Sequence, residues 1–338
     1  MNRRKLIHTI STGAIGLQLP NIATAKSSST KKIDKEEMDR GSFSIDGNKL
    51  KFFSPNIEKT FNMLMLADTH LFRDDKRGKD FQQYSGRMSK AYNQTKHFQT
   101  GEVTTPELCF QQTLIIAKKL NVSHVALVGD IFSFPSEAAI EWASKELSTL
   151  GIPYSYTAGN HDWHYEGMEG TSQSLRATWI KNRLLPMYQG ENPMMSVREL
   201  HGVRLITIDN SNYEILPEQY EFFQKEIKTN KPIVLMLHIP LYAPERPLGF
   251  GCGHPEWGEK ADKNFELERR MPWSSAGHTT ATMAFHKAVF SAPNILGILA
   301  GHIHQQSLDV VNGIPQIVTN ANTTGAFLQV EFHNELRK

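Results

Sequence analysis

Short apolar runs alternate with amphipathic stretches along most of the chain. Apolar runs bounded by turn residues are typical of buried strands, and apolar positions three and four residues apart are typical of core-facing helices. The predicted strands are Phe61–Ala67, Val125–Val128, Ile152–Thr157, Met194–Val197, Val203–Ile208, Pro232–Leu237, Ile295–Leu299, Ser307–Val311, Ile314–Thr319 and Ala326–Phe332. The predicted helices are Pro106–Leu120, Ser136–Leu150, Thr171–Leu185, Pro217–Lys228 and Thr280–Phe290.

The order of these elements predicts the fold class. Strands that alternate with helices indicate an α/β core, and the β-rich C-terminal part indicates a second sheet packed on the first. Near the start, Ser42–Phe53 is predicted to form a hairpin that turns at Asp46-Gly47-Asn48. Residues 71–104 and 241–278 show no clear period, so we interpret both as long loops. Loops of this length inside a domain are usually functional or disordered, and each of these two follows a predicted strand that ends in candidate ligand residues, so we expect both to flank a site.

The N-terminal segment has the features of a targeting peptide. Asn2-Arg3-Arg4-Lys5 precedes a modest apolar stretch that begins at Leu6, and Ala23-Thr24-Ala25 offers the small residues that a signal peptidase needs. The paired arginines favour the twin-arginine route. The alternative interpretation is a disordered basic tail. We therefore expect an exported protein, either periplasmic or secreted.

This interpretation divides the chain into three parts. Residues 1–25 are the predicted export signal, residues 26–41 are a flexible spacer rich in Ser, Thr, Lys, Asp and Glu, and residues 42–338 form the folded domain. The apolar stretch of the signal is too short and too polar to span a membrane, so no membrane span is expected.

Composition narrows the functional classes. The chain has 338 residues, 39% hydrophobic and 21% charged, which is ordinary for a globular protein. A formal net charge of +2 carries no basic signature, so no stable nucleic-acid partner is expected. Two cysteines, Cys109 and Cys252, are too few for a disulfide framework, and whether they pair is left open. The oligomeric state is also open.

Five short polar motifs each follow a predicted strand. They are Asp68-Thr69-His70, Gly129-Asp130, Gly159-Asn160-His161-Asp162, His238 and Gly301-His302-Ile303-His304. Taken one at a time, such motifs are more typical of turns and solvated loops than of a site. In open α/β sheets, however, ligand sites lie at the carboxyl ends of strands. We therefore expect the whole set to meet at one edge of a sheet.

The residue types of these motifs are metal ligands. Imidazole, carboxylate and amide oxygen together suit Zn, Fe or Mn, and the absence of a usable thiolate argues against a soft structural site. There are too many donors for one tetrahedral ion, but enough for two ions if one carboxylate bridges them. The candidate ligands are Asp68, His70, Asp130, Asn160, His238, His302 and His304.

The order of the motifs, from Asp68 to His304, resembles that of the calcineurin-like metallophosphoesterases. The resemblance implies a four-layered α/β/β/α sandwich of two packed mixed sheets, with a dinuclear metal site at the strand carboxyl ends. It implies that one ion is held by Asp68, His70 and His304, that the other is held by Asn160, His238 and His302, and that Asp130 bridges them.

The resemblance also implies catalytic roles. His161 would face the substrate phosphate without binding metal, and Asp162 would orient it. A hydroxide that bridges the ions would attack phosphorus in line, and His161 would donate a proton to the leaving oxygen. The purple acid phosphatase branch carries a tyrosine ligand three residues after the bridging aspartate. Ser133 occupies that position here, so no tyrosinate-to-iron colour is expected.

These features predict an exported dinuclear-metal phosphoesterase that hydrolyses small organic phosphate mono- or diesters. Arginines and tryptophans in the two long loops, such as Arg87 and Trp257, favour an organic ester over a phosphoprotein. One alternative is a nucleotide or nucleic-acid phosphodiesterase. A second is a non-catalytic metal-binding protein, which His161 argues against because binding needs no proton donor.

Overall fold

A computed structural model of the chain describes residues 41–91, 95–247 and 277–335. In chain order the strands are β1 (Ser42–Asp46), β2 (Lys49–Phe53), β3 (Phe61–Leu66), β4 (Thr95–Lys96), β5 (Val103–Thr104), β6 (His124–Val128), β7 (Tyr154–Thr157), β8 (Met195–Leu200), β9 (Val203–Ile208), β10 (Ile233–Met236), β11 (Ile295–Ala300), β12 (Ser307–Val311), β13 (Ile314–Val318) and β14 (Leu328–His333). The α-helices are α1 (Gln82–Ala91), α2 (Pro106–Lys119), α3 (Glu137–Leu150), α4 (Ser172–Trp179), α5 (Pro217–Glu226) and α6 (Thr280–Val289).

Two large mixed sheets form the core of this α/β fold. The first has the order β1-β2-β14-β3-β6-β7, and the second has the order β12-β13-β11-β10-β9-β8. Within the first sheet β3, β6 and β7 are parallel neighbours. Within the second, β9, β10, β11 and β13 are parallel neighbours. The parallel strands of each sheet thus end at the same edge.

Side chains of both sheets meet in one apolar cluster. This cluster includes Met63 and Met65 of β3 together with Val234 and Met236 of β10, and all these side chains are fully buried. The intervening residue Leu64 belongs instead to a cluster that includes side chains of α2, α3 and α4. Since side chains alternate across a strand, β3 buries both of its faces.

The second sheet is buried in the same way. Ile233 and Leu235 of β10 pack in a third cluster with Phe223 of α5 and Phe285 of α6. The helices thus cover the strands with the apolar positions that their sequence period predicted.

The predicted hairpin, strands and helices are confirmed apart from shifted bounds, with three differences. Residues 71–104 are not one unstructured loop, since they contain a 3₁₀ helix (Lys76–Phe81), α1 and the β4–β5 hairpin. The predicted helix Thr171–Leu185 is α-helical only as α4, and continues as a π turn (Ile180–Leu184). Helix α1 was missed because its sequence is polar, and packing rather than propensity stabilises it.

The third difference concerns the C-terminal strands. They were expected in a second sheet, and β12 and β13 do lie there, but β14 belongs to the first sheet. It pairs in parallel with β2 and antiparallel with β3. Sheet membership depends on contacts between residues far apart in sequence, which a local pattern does not encode.

Several predictions of the sequence concern residues outside the described part. These are the export signal (1–25), the spacer (26–41) apart from Gly41, most of the loop 241–278, and Cys252. Cys109 is a buried free thiol, 3.2 Å from the hydroxyl of Thr104. None of the helices in the described ranges is both long and apolar enough to cross a bilayer.

Candidate metal centre

The five motifs converge at strand ends of both sheets. Those containing Asp68, Asp130 and Asn160 follow β3, β6 and β7 of the first sheet. His238 follows β10 and His302 follows β11, both in the second sheet. The expectation of a single sheet edge is therefore wrong, because the site is assembled from two edges.

On one side of the site, an acidic side chain meets two imidazoles. The Nε2 atoms of His70 and His304 are 3.0 Å apart. Asp68 Oδ1 lies 3.3 Å from His304 Nε2. The ligand atoms of Asp68, His70 and His304 all lie within 4.8 Å of one another, so they could share one cation.

A second group lies beside the first. Asp130 Oδ2 is 3.1 Å from His238 Nε2, and Asn160 Oδ1 is 3.0 Å from His302 Nδ1. Asp130, His238 and His302 also present ligand atoms within 4.8 Å of one another. The two groups are adjacent, since His238 Nε2 is only 3.9 Å from Asp68 Oδ1. All seven predicted ligands are therefore brought together.

The backbone at these residues is strained. Positive φ angles occur at Asp68 (56°), His70 (55°), Asp130 (51°), His302 (73°) and His304 (59°). A non-glycine residue in this region costs on the order of 1–3 kcal/mol and persists only when its surroundings impose it. Five such residues in one cluster indicate that the fold tolerates a loss of stability here, because these backbone angles direct the side chains toward the site.

Two motif glycines allow a close approach of the loops. A Cβ on Gly129, whose φ is +80°, would lie 2.3 Å from His238 Nδ1. A Cβ on Gly159 would lie 2.2 Å from Asp130 Oδ1. No real Cβ contact is that short, so both positions require glycine.

The orientation of His238 is set by a backbone carbonyl. Its Nδ1–H donates a 2.9 Å hydrogen bond to the carbonyl oxygen of Val128, which can only accept. The other nitrogen, Nε2, therefore carries the lone pair that faces Asp130 in the neutral ring. An imidazole whose second nitrogen is held in this way is typical of a metal ligand.

The electrostatics of the site also suit a cation. Burial would lower the pKa of His238, but the carboxylates of Asp130 and Asp68 overcome it and raise that pKa to about 10. Burial and then the neighbouring His304 hold the pKa of His70 well below its ordinary value. A proton on His238 thus balances the buried carboxylates, and a metal ion with neutral imidazoles would balance the same charge.

Asp162 joins two of the loops. Its Oδ2 accepts hydrogen bonds from the backbone N–H groups of Asp130 (2.9 Å) and Gly159 (2.6 Å), and its Oδ1 accepts one from Phe132 (2.8 Å). Burial, and next the charge of Asp130, raise the pKa of Asp162 above its ordinary value, whereas the hydrogen bonds from Gly159 and Phe132 favour the ionised carboxylate. These contacts act on the loop backbones, and the predicted role of Asp162 in orienting His161 stays a prediction.

His161 lies beside both groups. Its backbone N–H donates a 2.8 Å hydrogen bond to Asp130 Oδ1, and its ring is edge-on to that of His70 at a centroid distance of 5.0 Å. Its ring lies close enough to His70 and Asp130 to share a cation with them. Its predicted role as a proton donor that binds no metal also stays a prediction.

Three further residues support the ligand loops. The hydroxyl of Ser133 donates to the carbonyl oxygen of His70, at 3.0 Å. The side chain of Asn210 is hydrogen-bonded to the backbone of Ile239, and that of Asn322 is hydrogen-bonded to Thr69. Asn210 follows the end of β9, which is a signal that sequence reasoning could have used. Asn322 gives no such signal.

A cleft of about 640 Å³ opens beside the centre. Its lining includes Asn160, His161 and His302, together with Arg87 and Lys90 of α1. The expectation that residues 71–104 flank the site is therefore confirmed for α1. The same expectation for residues 241–278 falls largely outside the described part of the chain.

Helix α1 is held against the site by its neighbours. Arg87 forms an ion pair with Glu166, with Nε 2.6 Å from Oε2. Just before α1, the ring of Phe81 stacks on that of Tyr165 at a centroid distance of 5.1 Å. These contacts make α1 a packed wall of the cleft, with basic side chains at its exposed face.

Comparisons with known proteins bear on the family and on the fold of the chain. The family model described as calcineurin-like phosphoesterase matches residues 61–306. The fold is similar to that of a dimetal phosphatase from Danio rerio, with a TM-score of 0.51, 11% identity, and coverage of 81% of this chain and 93% of that one. A purple acid phosphatase from yellow lupin gives a TM-score of 0.45 and 13% identity, covering 82% of this chain and 47% of that one. A search of curated protein sequences finds no significant match.

The chain belongs to the calcineurin-like phosphoesterase family. It is therefore a metal-dependent hydrolase of phosphoric esters. The family uses divalent ions at a dinuclear site, and the two ligand groups described above are the candidates for that site in this chain.

Proposed function

We propose that the protein is an exported phosphoesterase that uses two transition-metal ions, Mn, Fe or Zn, to hydrolyse small organic phosphate mono- or diesters. The observation that carries this proposal is the meeting of seven ligand side chains from two sheets, four of which line one cleft. We infer a four-layered α/β/β/α sandwich, which is supported by one apolar cluster that joins the two sheets and by two clusters that join them to helices.

The ligands divide between the ions as follows. Asp68, His70 and His304 would hold one ion, and Asn160, His238 and His302 would hold the other, with Asp130 between them. The short contacts within each group support this division, because the donor atoms already point at shared positions. Two bound cations would offset the negative charge of the phosphate oxygens and lower the pKa of water at the site.

The protein itself would supply orientation and a proton. His161 lies on the cleft wall, where its ring would donate a proton to the leaving oxygen or stabilise the charge that builds up there. Asp162 would keep the loop of His161 in place, because its carboxylate accepts a hydrogen bond from the backbone N–H of Gly159 in the same loop.

The size and charge of the cleft favour a small ester. Pockets of about 300–1,000 Å³ are typical of small-molecule sites, and the cleft volume of about 640 Å³ falls in this range. Lys90 places positive charge at its wall, which suits an anionic substrate, whereas the charge of Arg87 is paired with that of Glu166 in the same lining. The formal net charge of +2 argues against a long nucleic acid, so nucleotide diesters are the narrower alternative.

A comparison of two chromogenic substrates tests the proposal. The protein without residues 1–25 would be supplied with Mn, Zn or Fe and assayed with p-nitrophenyl phosphate and with bis-p-nitrophenyl phosphate. Hydrolysis of either ester above the level of an Asp130→Ala control would support the proposal. The preference between them would separate a monoesterase from a diesterase. No hydrolysis with any of the metals would favour the non-catalytic alternative.

Export needs its own test. Expression of the whole chain in a host with a twin-arginine pathway would show whether the mature protein reaches the periplasm. Replacement of Arg3 and Arg4 by Lys should retain it in the cytoplasm if the proposed route is correct.

A further inference from the structure

We propose that two buried asparagines, Asn210 and Asn322, position the two halves of the metal centre, each acting on the ligand loop of one ion. This inference rests on the proposed function, because it assumes the two ions and their division of ligands. Neither asparagine belongs to the five motifs. The observations that carry the proposal are the hydrogen bonds that each side-chain amide makes.

Asn322 holds the loop that contains Asp68 and His70. Its Oδ1 accepts a 3.0 Å hydrogen bond from the hydroxyl of Thr69, the residue between those two predicted ligands. Its backbone N–H donates to the carbonyl oxygen of Ala67 at 2.9 Å. The loop is therefore bonded to Asn322 on both sides of Asp68.

The same amide is fixed to the rest of the domain. Its Nδ2 donates to Thr113 Oγ1 at 2.9 Å and to the carbonyl oxygen of Ala326 at 2.8 Å. Thr113 lies on α2, so the amide connects a helix of the core to the ligand loop. Asp68 and His70 both have positive φ angles, 56° and 55°, which such outside bonds must maintain.

Asn210 acts in the same way on the loop of His238. Its Nδ2 donates to the carbonyl oxygen of Ile239 at 2.7 Å, and its Oδ1 accepts the backbone N–H of Ile239 at 3.0 Å. Strands β9 and β10 pair only as far as Thr207 with Met236. The amide extends this pairing past the strand ends and fixes the backbone directly after His238.

The two amides act on different ions. Thr69 is flanked by ligands of the first ion, whereas Ile239 follows a ligand of the second. Residues that orient metal ligands typically contribute a factor of about 10–100 to metal affinity. Loss of one amide should therefore weaken one of the two sites by at least about ten-fold.

A general loss of stability is the competing explanation, because removal of any buried hydrogen-bonding amide destabilises a fold. Asn294 is the matched control. It is buried like the other two, and its Nδ2 donates to the carbonyl oxygen of Lys231 at 2.9 Å. It lies just before β11, at the opposite strand end from His302, so Asn294→Ala should lower stability without a change in metal affinity.

The experiment compares Mn²⁺ binding by the wild-type chain, Asn210→Ala, Asn322→Ala and Asn294→Ala in metal buffers. Metal content measures occupancy, and electron paramagnetic resonance distinguishes a spin-coupled Mn²⁺ pair from a single Mn²⁺. We expect the coupled signal to give way to the single-ion signal in Asn210→Ala and Asn322→Ala, at Mn²⁺ concentrations where wild type and Asn294→Ala keep it.

Double variants identify which ion is lost. Asn322→Ala combined with His304→Ala should retain as much Mn²⁺ as His304→Ala alone, because both changes affect the same site. Asn322→Ala combined with His238→Ala should lose both ions. Asn210→Ala should cause no further loss when combined with His238→Ala, and should lose both ions when combined with His304→Ala. If Asn322→Ala or Asn210→Ala does not fold, Thr69→Val or Asn210→Ser removes part of the same bonding and should shift affinity in the same direction.

Equal weakening of both sites by either asparagine variant, or no change beyond that of Asn294→Ala, would overturn the inference. A wild-type chain that binds a single Mn²⁺ would contradict the proposed dinuclear centre, and this inference with it. The two failures are thus distinguishable.

Discussion

The carboxylate of Asp162 holds the backbone of Asp130, whose N–H donates a 2.9 Å hydrogen bond to Asp162 Oδ2. The same oxygen accepts the N–H of Gly159 at 2.6 Å. One buried side chain thus sets the distance between the loops that follow β6 and β7. Those loops carry Asp130 and Asn160. In the proposed centre Asp130 would lie between the two ions, and Asn160 would bind one of them.

We expect Asp162→Asn to weaken metal binding even though Asp162 is not a proposed ligand. The side-chain NH₂ of the asparagine would replace one of the two carboxylate oxygens and would face a backbone N–H. That buried N–H would then have no acceptor. Loss of this support should lower Mn²⁺ affinity by about 10–100-fold. Titration of Mn²⁺ into the two proteins measures the effect. Asp46→Asn, which changes an exposed carboxyl at the end of β1, is the control, and an equal loss there would refute the argument.

Gly129→Ala should disrupt the site more than a surface glycine substitution does. The added methyl group would lie 2.3 Å from His238 Nδ1, at a residue with a φ of +80°. His238 would have to move away from Val128, so we expect loss of bound metal and a lower unfolding temperature. Gly47→Ala is a matched control, because Gly47 has a φ of +57° with nothing within 4 Å of its added Cβ. Metal content and thermal unfolding of both variants would decide the point.

His161→Ala should lower turnover and leave the metals in place. A positioned proton donor contributes about 10²–10⁴-fold to a rate, so kcat for p-nitrophenyl phosphate should fall by that order. Asp130→Ala, in contrast, should lose metal. Metal content and kcat of each variant separate the two effects, with His333→Ala at the far end of β14 as the control. A fully active His161→Ala protein would show that the assignment is incorrect.

Acid should destabilise the fold partly through His124, which is remote from the proposed ligands. Burial, and next the charge of Arg198, lower the pKa of His124 to about 3. In the unfolded chain its pKa is about 6.5, so the unfolded state binds the extra proton between these values. The contribution of neutral His124 to stability is therefore complete above pH 6.5 and is lost as the pH falls toward 3.

This loss amounts to about 2 kcal/mol between pH 7 and pH 5. Urea unfolding of wild type and His124→Gln at both pH values measures it, because metal loss affects the two proteins alike and cancels in the difference. His124→Gln should lose about 2 kcal/mol less than wild type on acidification. The same loss in both proteins would mean that His124 is not the group that titrates.

Much of the local structure could be predicted from the sequence. Strand β6 and helix α3 were predicted from apolar runs, and helix α3 is capped at Ser136 and Gly151 as the sequence indicates. Helix α1 could not be predicted, because its sequence is polar and contacts with distant residues, such as that of Arg87 with Glu166, hold it in place.

The sequence by itself determined which side chains are the candidates for the chemistry, because turn residues and ligand types directly after apolar runs are local signals. Only the tertiary structure decided that Asp68 and His238, which follow strands of different sheets, lie close together, with Asp68 Oδ1 3.9 Å from His238 Nε2. It also inserted β14 beside β3 and brought Asn322 to Thr69. These contacts join residues far apart in the chain, and the free energy that selects them comes from the apolar cluster shared by the two sheets.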